Sequence, residues 1–280
     1  MTPSPSTLPL PFFDHGVARL DALLSAPLAS PLLCAFDFDG TLAPIVADPA
    51  CAAMPPTVRQ RLLALQAHAP VAILSGRSLA DVGPRLGFRP DYLVGNHGAE
   101  GLAGWERQAD DYRARCVQWH RQLAAALRDH ARYDPAIVLE NKTCSLSLHY
   151  RHVRQRRVTE AALLALSARL QPAARVIGGK YVINLLPPEA PDKGAALLQL
   201  CAANAPCNAF YAGDDDTDET VFRLHRPDWL TVRVEPAAGT DADFYLPHPH
   251  ELLRVLDLVL ARLQRQAGAK RAATAATGAT

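Results

Sequence analysis

The sequence predicts an α/β protein: a doubly wound parallel sheet carrying an inserted α+β domain. Three observations lead there. Short, uninterrupted apolar runs end in glycine or acidic residues, amphipathic helical segments separate them, and from about residue 105 to 186 the pattern changes to alternating strands.

The apolar runs lie at 32–36 ("LLCAF"), 71–74 ("VAIL"), 92–94 ("YLV") and 209–212 ("AFYA"). None of them alternates, so both faces of each strand must be covered, as in a parallel sheet with helices on either side. After the first run, "TVRQRLLALQAH" places Val58, Leu62 and Leu65 on one helical face. After the second, "SLADVGPRLG" does the same with Leu79, Val82 and Leu86.

Between Trp105 and Leu186 a long helix, two β runs, a second helix ("VTEAALLALSARL") and a Gly-Gly hairpin signal in "RVIGGKYVINLL" follow one another. In "CSLSLHYR" the alternation puts Leu146, Leu148 and Tyr150 on one face and Ser147, His149 and Arg151 on the other. In the second arm of the hairpin Tyr181, Ile183 and Leu185 are the apolar set, with Lys180 and Asn184 opposite. Such a sheet is half-buried, and its polar face is free to cover something. The expected boundaries are 28–104 and 187–265 for the core and 105–186 for the inserted domain. Residues 1–27 read as a partly ordered extension and 266–280 ("AGAKRAATAATGAT" and its approach) as a disordered tail.

The chain has 280 residues, 29 Lys+Arg against 28 Asp+Glu, and a net charge of +1. That balance offers no electrostatic footprint for nucleic acid or an anionic membrane. No apolar run approaches the roughly 20 residues of a membrane span, and "MTPSPSTLPLPFF" lacks a basic secretion start. A cytoplasmic monomer acting on a small molecule is expected. The six cysteines form no C-x-x-C pair and several sit in apolar runs, as reduced core thiols do.

Ligands of open α/β sheets bind beyond the carboxyl ends of the strands. The polar clusters lie there: Asp37 and Asp39; Ser75, Gly76 and Arg77; Asn96 and His97; Asp214, Asp215, Asp216 and Asp218. Converging carboxylates repel unless a cation is present or some are protonated. Oxygen ligands without clustered His or Cys favour Mg2+. "GDDDTDE" lacks the spacing of a calcium-binding EF-hand and follows a strand, which excludes that motif.

Together "DFDGTLAPI", "SGRS", "DKGAAL" and "GDDDTDE" resemble the four motifs of the haloacid dehalogenase (HAD) superfamily of phosphatases, in the same order. More narrowly, "NHGAE", "LENKTCSLSLHYR" and "GGKYVINLLPPEAPDKG" resemble the trehalose-6-phosphate phosphatases, over roughly residues 32–253. The resemblance implies a Rossmann-like, HAD-type core with a cap domain, Mg2+ as cofactor, and hydrolysis of trehalose 6-phosphate. It casts Asp37 as the nucleophile that forms an aspartyl-phosphate and as a metal ligand. Asp39 becomes the general acid and then base, its carbonyl a metal ligand and its side chain free for proton transfer. Gly40 lets backbone amides face the phosphate, Ser75 donates to it, and Arg77 belongs to the same substrate-binding set. Lys193 sits between Asp37 and the transferred group. Asp214 binds the metal directly; Asp215 and Asp218 act through water or by orienting the ligands. On the lid the disaccharide-binding positions fall on Glu140, Lys142, Arg151 and Lys180. Asn184 stands where the family pattern usually has glutamate, so it offers hydrogen bonds to a sugar but no charge. His149 has no assigned role. Another sugar or glycerate phosphate as substrate, a catalytically silent subunit on this fold, and a zinc- or nucleic-acid-binding module are the alternatives. The last is disfavoured by the neutral charge and the absence of Cys/His spacing.

Overall fold

The computed structural model describes residues 8–25, 32–46, 48–203 and 208–277. In chain order the elements are β1 (Leu10–Pro11), a π-helical turn (Phe12–Gly16), α1 (Val17–Ser25), β2 (Leu32–Phe36), α2 (Pro56–Gln66), β3 (Val71–Leu74), α3 (Leu79–Leu86) and β4 (Tyr92–Val94). Then come α4 (Glu106–Leu127), β5 (Val138–Asn141), β6 (Leu146–His149), α5 (Arg156–Ser167), β7 (Arg175–Gly179) and β8 (Val182–Leu186). The chain closes with α6 (Lys193–Ala203), β9 (Asn208–Gly213), α7 (Glu219–Phe222), β10 (Trp229–Val234), β11 (Phe244–Leu246) and α8 (Leu252–Thr277).

Seven strands form one sheet in the order β1-β11-β10-β9-β2-β3-β4. Every pairing in it is parallel. The apolar runs are continuous because alternate residues serve two cores. Leu32, Cys34 and Phe36 of β2 pack with α1, α2, α3 and α8 residues such as Leu20, Leu62, Val82 and Val259. Leu33 and Ala35 face Leu197 of α6 and Phe222 of α7. Each large aliphatic or aromatic side chain so buried contributes about 1.5–3 kcal/mol, and exchanging the faces by a one-residue slip would forfeit both sets at once.

The second sheet, β5-β6-β8-β7, is antiparallel throughout. Its apolar face carries Leu146, Leu148, Tyr150, Ile183 and Leu185, packed on Cys116, Trp119 and Leu123 of α4 and Leu163 of α5. This matches the alternation in the sequence. The hairpin turn, however, lies at Lys180 and Tyr181 rather than at the two glycines. Gly178 and Gly179 pair with Ile183 and Val182 inside the ladder, and Tyr181 takes a φ of 65°. Lys180 is therefore a turn residue, and Arg151 lies just past the end of β6.

The two ends of the chain differ from expectation. Residues 8–25 belong to the fold: β1 adds a parallel strand beside β11, Phe12 packs edge-on against Phe244, and Arg262 of α8 pairs with Asp21 at 2.6 Å. The parts of the predicted extension at 1–7 and 26–27 lie outside the described residues. Helix α8 continues through most of the predicted disordered tail to Thr277, since alanine needs no partner to favour a helix; residues 278–280 lie outside the described set. Cys34, Cys116 and Cys144 are buried, and burial pushes the Cys116 and Cys144 thiols up to about 12, as inert core thiols require. Among the described residues no helix is long and apolar enough to cross a membrane.

Trp119 is the largest side chain of the smaller core; it is fully buried and its indole N–H donates to the Pro172 carbonyl at 2.6 Å. Trp119→Ala is expected to cost about 3–5 kcal/mol through the cavity it leaves, measured as a lower urea midpoint for the four-stranded domain.

Candidate active site at the sheet switch point

The order of the large sheet reverses between β2 and β9: β3 and β4 extend from one side, β10 and β11 from the other. Loops leaving the carboxyl ends of these two strands diverge and leave a crevice. Asp37, the first residue after β2, donates its backbone N–H to Ala212 of β9 at 2.9 Å, which sets it level with the end of β9 and the acidic loop beyond.

Lys193, the first residue of α6, is only 1% exposed. Its ammonium donates to Asp37 Oδ1 at 2.7 Å and to Asp218 Oδ1 at 2.8 Å, with Asp215 at 3.9 Å. Burial works against its charge, but Asp218 and Asp37 overcome that and hold its pKa well above the ordinary lysine value. Asp218 also accepts from the Tyr211 hydroxyl at 2.5 Å and from the Asp215 N–H at 3.0 Å. Lys193 thus bridges Asp37 to Asp218.

Oxygens of Asp37, Asp214 and Asp218 lie within 4.8 Å of one another. Burial pushes Asp37 well up, against the pull of Lys193. Asp214 rises to about 8 through burial and the charges of Asp218 and Asp215. Asp215 is the exception: burial opposes its charge too, but Lys193 and the Thr217 hydrogen bonds hold it below the usual range. The site thus gathers more acid groups than the Lys193 ammonium can pair, a surplus that must be met by protons or by a further cation. An all-oxygen donor set with that surplus fits a hard divalent cation such as Mg2+. Thr41 donates to Asp214 Oδ1 at 3.1 Å and so orients it.

Asp39 departs from expectation. Its carboxylate is not free but forms a two-pronged pair with Arg77, at 2.6 and 2.8 Å. Arg77 in turn binds Asp81 at 2.7 Å and the Pro49 carbonyl at 3.0 Å, and Asp81 binds Arg85. Arg77, expected to face the substrate, is turned onto this network because two carboxylates lie within its reach. Ser75 is buried at the end of β3, and its hydroxyl accepts from the Arg77 N–H at 3.1 Å.

The polar face of the smaller sheet closes the other side. A cleft of about 530 Å3 is lined by Asp37, Asp39, Gly76, Lys193, Asp214 and Asp215 from below. Glu140, Lys142, Arg151, Lys180 and Asn184 line it from above. That volume suits one small ligand. Lys142 donates to the Gly76 carbonyl at 3.3 Å, and burial lowers its pKa. Asn184 is buried, its side-chain oxygen taken by the Ser147 hydroxyl at 2.6 Å across the ladder.

Several residues in or beside this site escaped the sequence reading. His149 bonds Glu140 at 2.8 Å, and this bond foremost holds the Glu140 carboxyl below its usual range. Alternation had placed His149 on the polar face; its diagonal position to Glu140 follows only from the register of β5 with β6. Tyr211 had no signal, being an aromatic in an apolar strand. Arg233, which binds Glu219 at 2.7 Å and the Asp215 carbonyl at 3.2 Å, is likewise hidden within a strand.

A family model described as trehalose-phosphatase matches residues 35–246. The Mycobacterium tuberculosis protein named trehalose-phosphate phosphatase is 36% identical over 271 residues, covering 91% of this chain and 69% of that protein. Among solved structures, the C-terminal domain of Candida albicans trehalose-6-phosphate phosphatase superposes with a TM-score of 0.67 at 22% identity, covering 92% of this chain and 99% of that one. The C-terminal domain of the Candida albicans trehalose synthase regulatory protein gives 0.65 at 12% identity, covering 89% and 99%. These two likenesses establish the shared fold.

Gly40 has a φ of +92°, and a Cβ there would fall 2.1 Å from Asp214 Oδ2. Gly40→Ala is therefore expected to cost more than about 1 kcal/mol in folding stability and to displace Asp214 from the acidic cluster, measured by urea melts and by the shift of the Asp214 carboxyl signal in 13C-labelled protein.

Proposed function

The chain belongs to the trehalose-phosphatase family of phosphoric monoester hydrolases, and from that premise we propose that it hydrolyses trehalose 6-phosphate to trehalose and phosphate, with Mg2+, through an aspartyl-phosphate on Asp37. The observation that carries this reading is the buried Lys193 ammonium bridging Asp37 to Asp218 beside Asp214, at the sheet switch point and beneath a polar cap face.

In the first step Asp37 attacks phosphorus through the oxygen that Lys193 does not hold. The Asp37 O–P bond forms and the bond from phosphorus to the sugar oxygen breaks. Lys193 favours the ionised form of Asp37 against burial and orients it, in a buried site where a fixed charge acts strongly. Asp39, once it has left Arg77 and taken up a proton from solvent, gives that proton to the departing sugar oxygen. To do so it must exchange Arg77 for that oxygen; Asp39 and Arg77 both line the cleft. In the second step Asp39 takes a proton from water, the water oxygen bonds phosphorus, and the Asp37 O–P bond breaks to restore the carboxylate. Ser75 and the amides after it hold the phosphate oxygens. Asp37, Asp214 and, through its carbonyl, Asp39 would hold Mg2+, with Asp215 and Asp218 orienting them. The ion, when bound, neutralises phosphate charge.

The disaccharide is assigned to the cap face, where Glu140, Lys142, Arg151, Lys180 and Asn184 present charge and hydrogen bonds. Asn184 favours a second reading of the same chemistry, in which another sugar phosphate is the substrate. A phosphate-release screen over a panel of sugar phosphates, with and without Mg2+, decides between them. It also tests whether the chain is a silent subunit instead.

Asp37→Asn is expected to abolish turnover while substrate binding persists, read by single-turnover assay and calorimetry; substantial hydrolysis by the variant removes Asp37 as nucleophile. EDTA should stop the parent enzyme and Mg2+ restore it. For the cap, Lys180→Ala and Arg151→Ala are expected to lower kcat/KM on the disaccharide phosphate by about one to two orders of magnitude, the worth of one charge-assisted hydrogen bond. Both should leave a small aryl phosphate nearly untouched. Equal losses on both substrates would show that this face does not read the sugar.

A further inference from the structure

His97 sits in the same cleft and takes no part in the steps above. It lies in the short turn Asn96–Gly98 after β4, with Asn96 and His97 both in the left-handed region at φ 48° and 58°. Such a conformation costs of order 1–3 kcal/mol for residues other than glycine and persists only where the surroundings impose it. They do so here. The His97 N–H donates to the Ser75 carbonyl at 2.9 Å and the Asn96 N–H to the Arg77 carbonyl at 2.7 Å, so the turn is fastened to the phosphate-side loop after β3.

The ring lies against Gly76. A Cβ on Gly76 would fall 2.4 Å from His97 Cε1 and 2.7 Å from Nε2, so a larger residue next to Ser75 would evict the imidazole. The residue is only 6% exposed, yet neither ring nitrogen has a hydrogen-bond partner among the described residues of the protein. Buried polar groups are nearly always satisfied, and an orphan costs about 1–3 kcal/mol. A phenylalanine would fill the same space without that loss. The strain, the glycine opposite and the two nitrogens that no protein group engages leave the ring able to take a partner from the cleft.

The surroundings identify its chemistry. The charged groups that bear on the ring are Lys142, Lys193 and Arg175, all cationic, and Asp215. Burial foremost, then the two lysines, drives the imidazole pKa down to about 3, so the ring is neutral at physiological pH. A neutral imidazole has one N–H to donate and one lone pair to accept. Lys193 marks the aspartate cluster and Lys142 the cap face, and the ring lies between their influences.

We propose that His97 is a substrate-contacting residue at the junction of phosphate and sugar. One ring nitrogen donates to a phosphate oxygen and the other accepts from a hydroxyl of the esterified sugar. The inference rests on the phosphatase reading and adds a contact to it. It makes the imidazole, rather than another lysine, the group that recognises both halves of the ester without adding charge.

The test uses the full chain with Mg2+ and inorganic phosphate as the probe. With histidine ring nitrogens labelled with 15N, the His97 signals, identified by their loss in His97→Phe, are expected to move on titration with phosphate. Calorimetry should show His97→Phe binding phosphate roughly tenfold or more weakly, the worth of a hydrogen bond to a charged group. The variant should melt no lower than the parent, because it removes two unpaired buried nitrogens. His97→Gln, which keeps a donor and an acceptor, should recover part of the affinity. If the parent binds phosphate and releases it from sugar phosphates while the His97 nitrogens stay unmoved, this contact is overturned and the phosphatase reading stands. If the parent neither binds phosphate nor releases it, both fall together. A His97→Phe variant that melts lower but binds phosphate like the parent marks a packing residue and also overturns the proposal. Should that variant fail to fold, the ring-nitrogen titration of the parent, with the signals identified by His97→Gln, decides alone.

Discussion

A lysine ammonium cannot be buried without its counter-charges, and the architecture around the site follows from that requirement at Lys193. Removing one partner from a buried pair costs about 3–5 kcal/mol because the remaining charge is stranded. Asp37 and Asp218 supply the partners from two different strands' ends, and Tyr211 and the Asp215 N–H hold Asp218 in place. The arrangement exists only if β2 and β9 are neighbours and α6 starts beneath them. A function-bearing cluster thereby becomes a constraint on topology, and the excess of carboxylates over ammonium leaves the site poised for a further cation.

The joint between the two sheets combines polar bonds with a small apolar cluster. Asn96 donates to the Lys142 carbonyl at 3.0 Å and accepts from the Ser145 hydroxyl, while Lys142 reaches back to the Gly76 carbonyl. These bonds tie the β5–β6 loop of the smaller domain to the loops after β3 and β4. The polar sheet face otherwise lines the cleft, while Ile177 beside Asn184 packs on an apolar cluster of Ala99, Tyr112, Cys144, Leu186 and Ala190. Polar contacts exchange with water at little net cost, whereas the apolar cluster fixes where the two domains meet.

A second network governs Asp39. Arg77 sits between Asp39 and Asp81, and Arg85 continues the chain to the carbonyls of Ala50 and Ala52. The loop following the first acidic motif is thus held by the same charges that hold the proposed acid.

Much of this was legible from the chain itself. Apolar runs without alternation announce strands covered on both faces, and alternation in residues 146–151 and 181–185 announces a half-buried sheet, because the pleat repeats every two residues. Asp37, Asp214, Asp218 and Lys193 could be placed at strand ends and a helix start by pattern alone, and their motifs carry the family. Tertiary structure decided the rest. Arg77 turned to Asp39 and Asp81 because side-chain pairing depends on distance in space, which spacing along the chain does not report. Glu140 meets His149 only through strand register, and Tyr211 reaches Asp218 only because β9 delivers its hydroxyl beneath the acidic loop. The N-terminal strand joined the sheet because β11 offered it an edge, and no periodicity in two residues could signal that. His97 was visible as a polar residue after a strand, but the emptiness around its two nitrogens is a property of the folded interior, where a missing partner has a cost, and no sequence pattern records it.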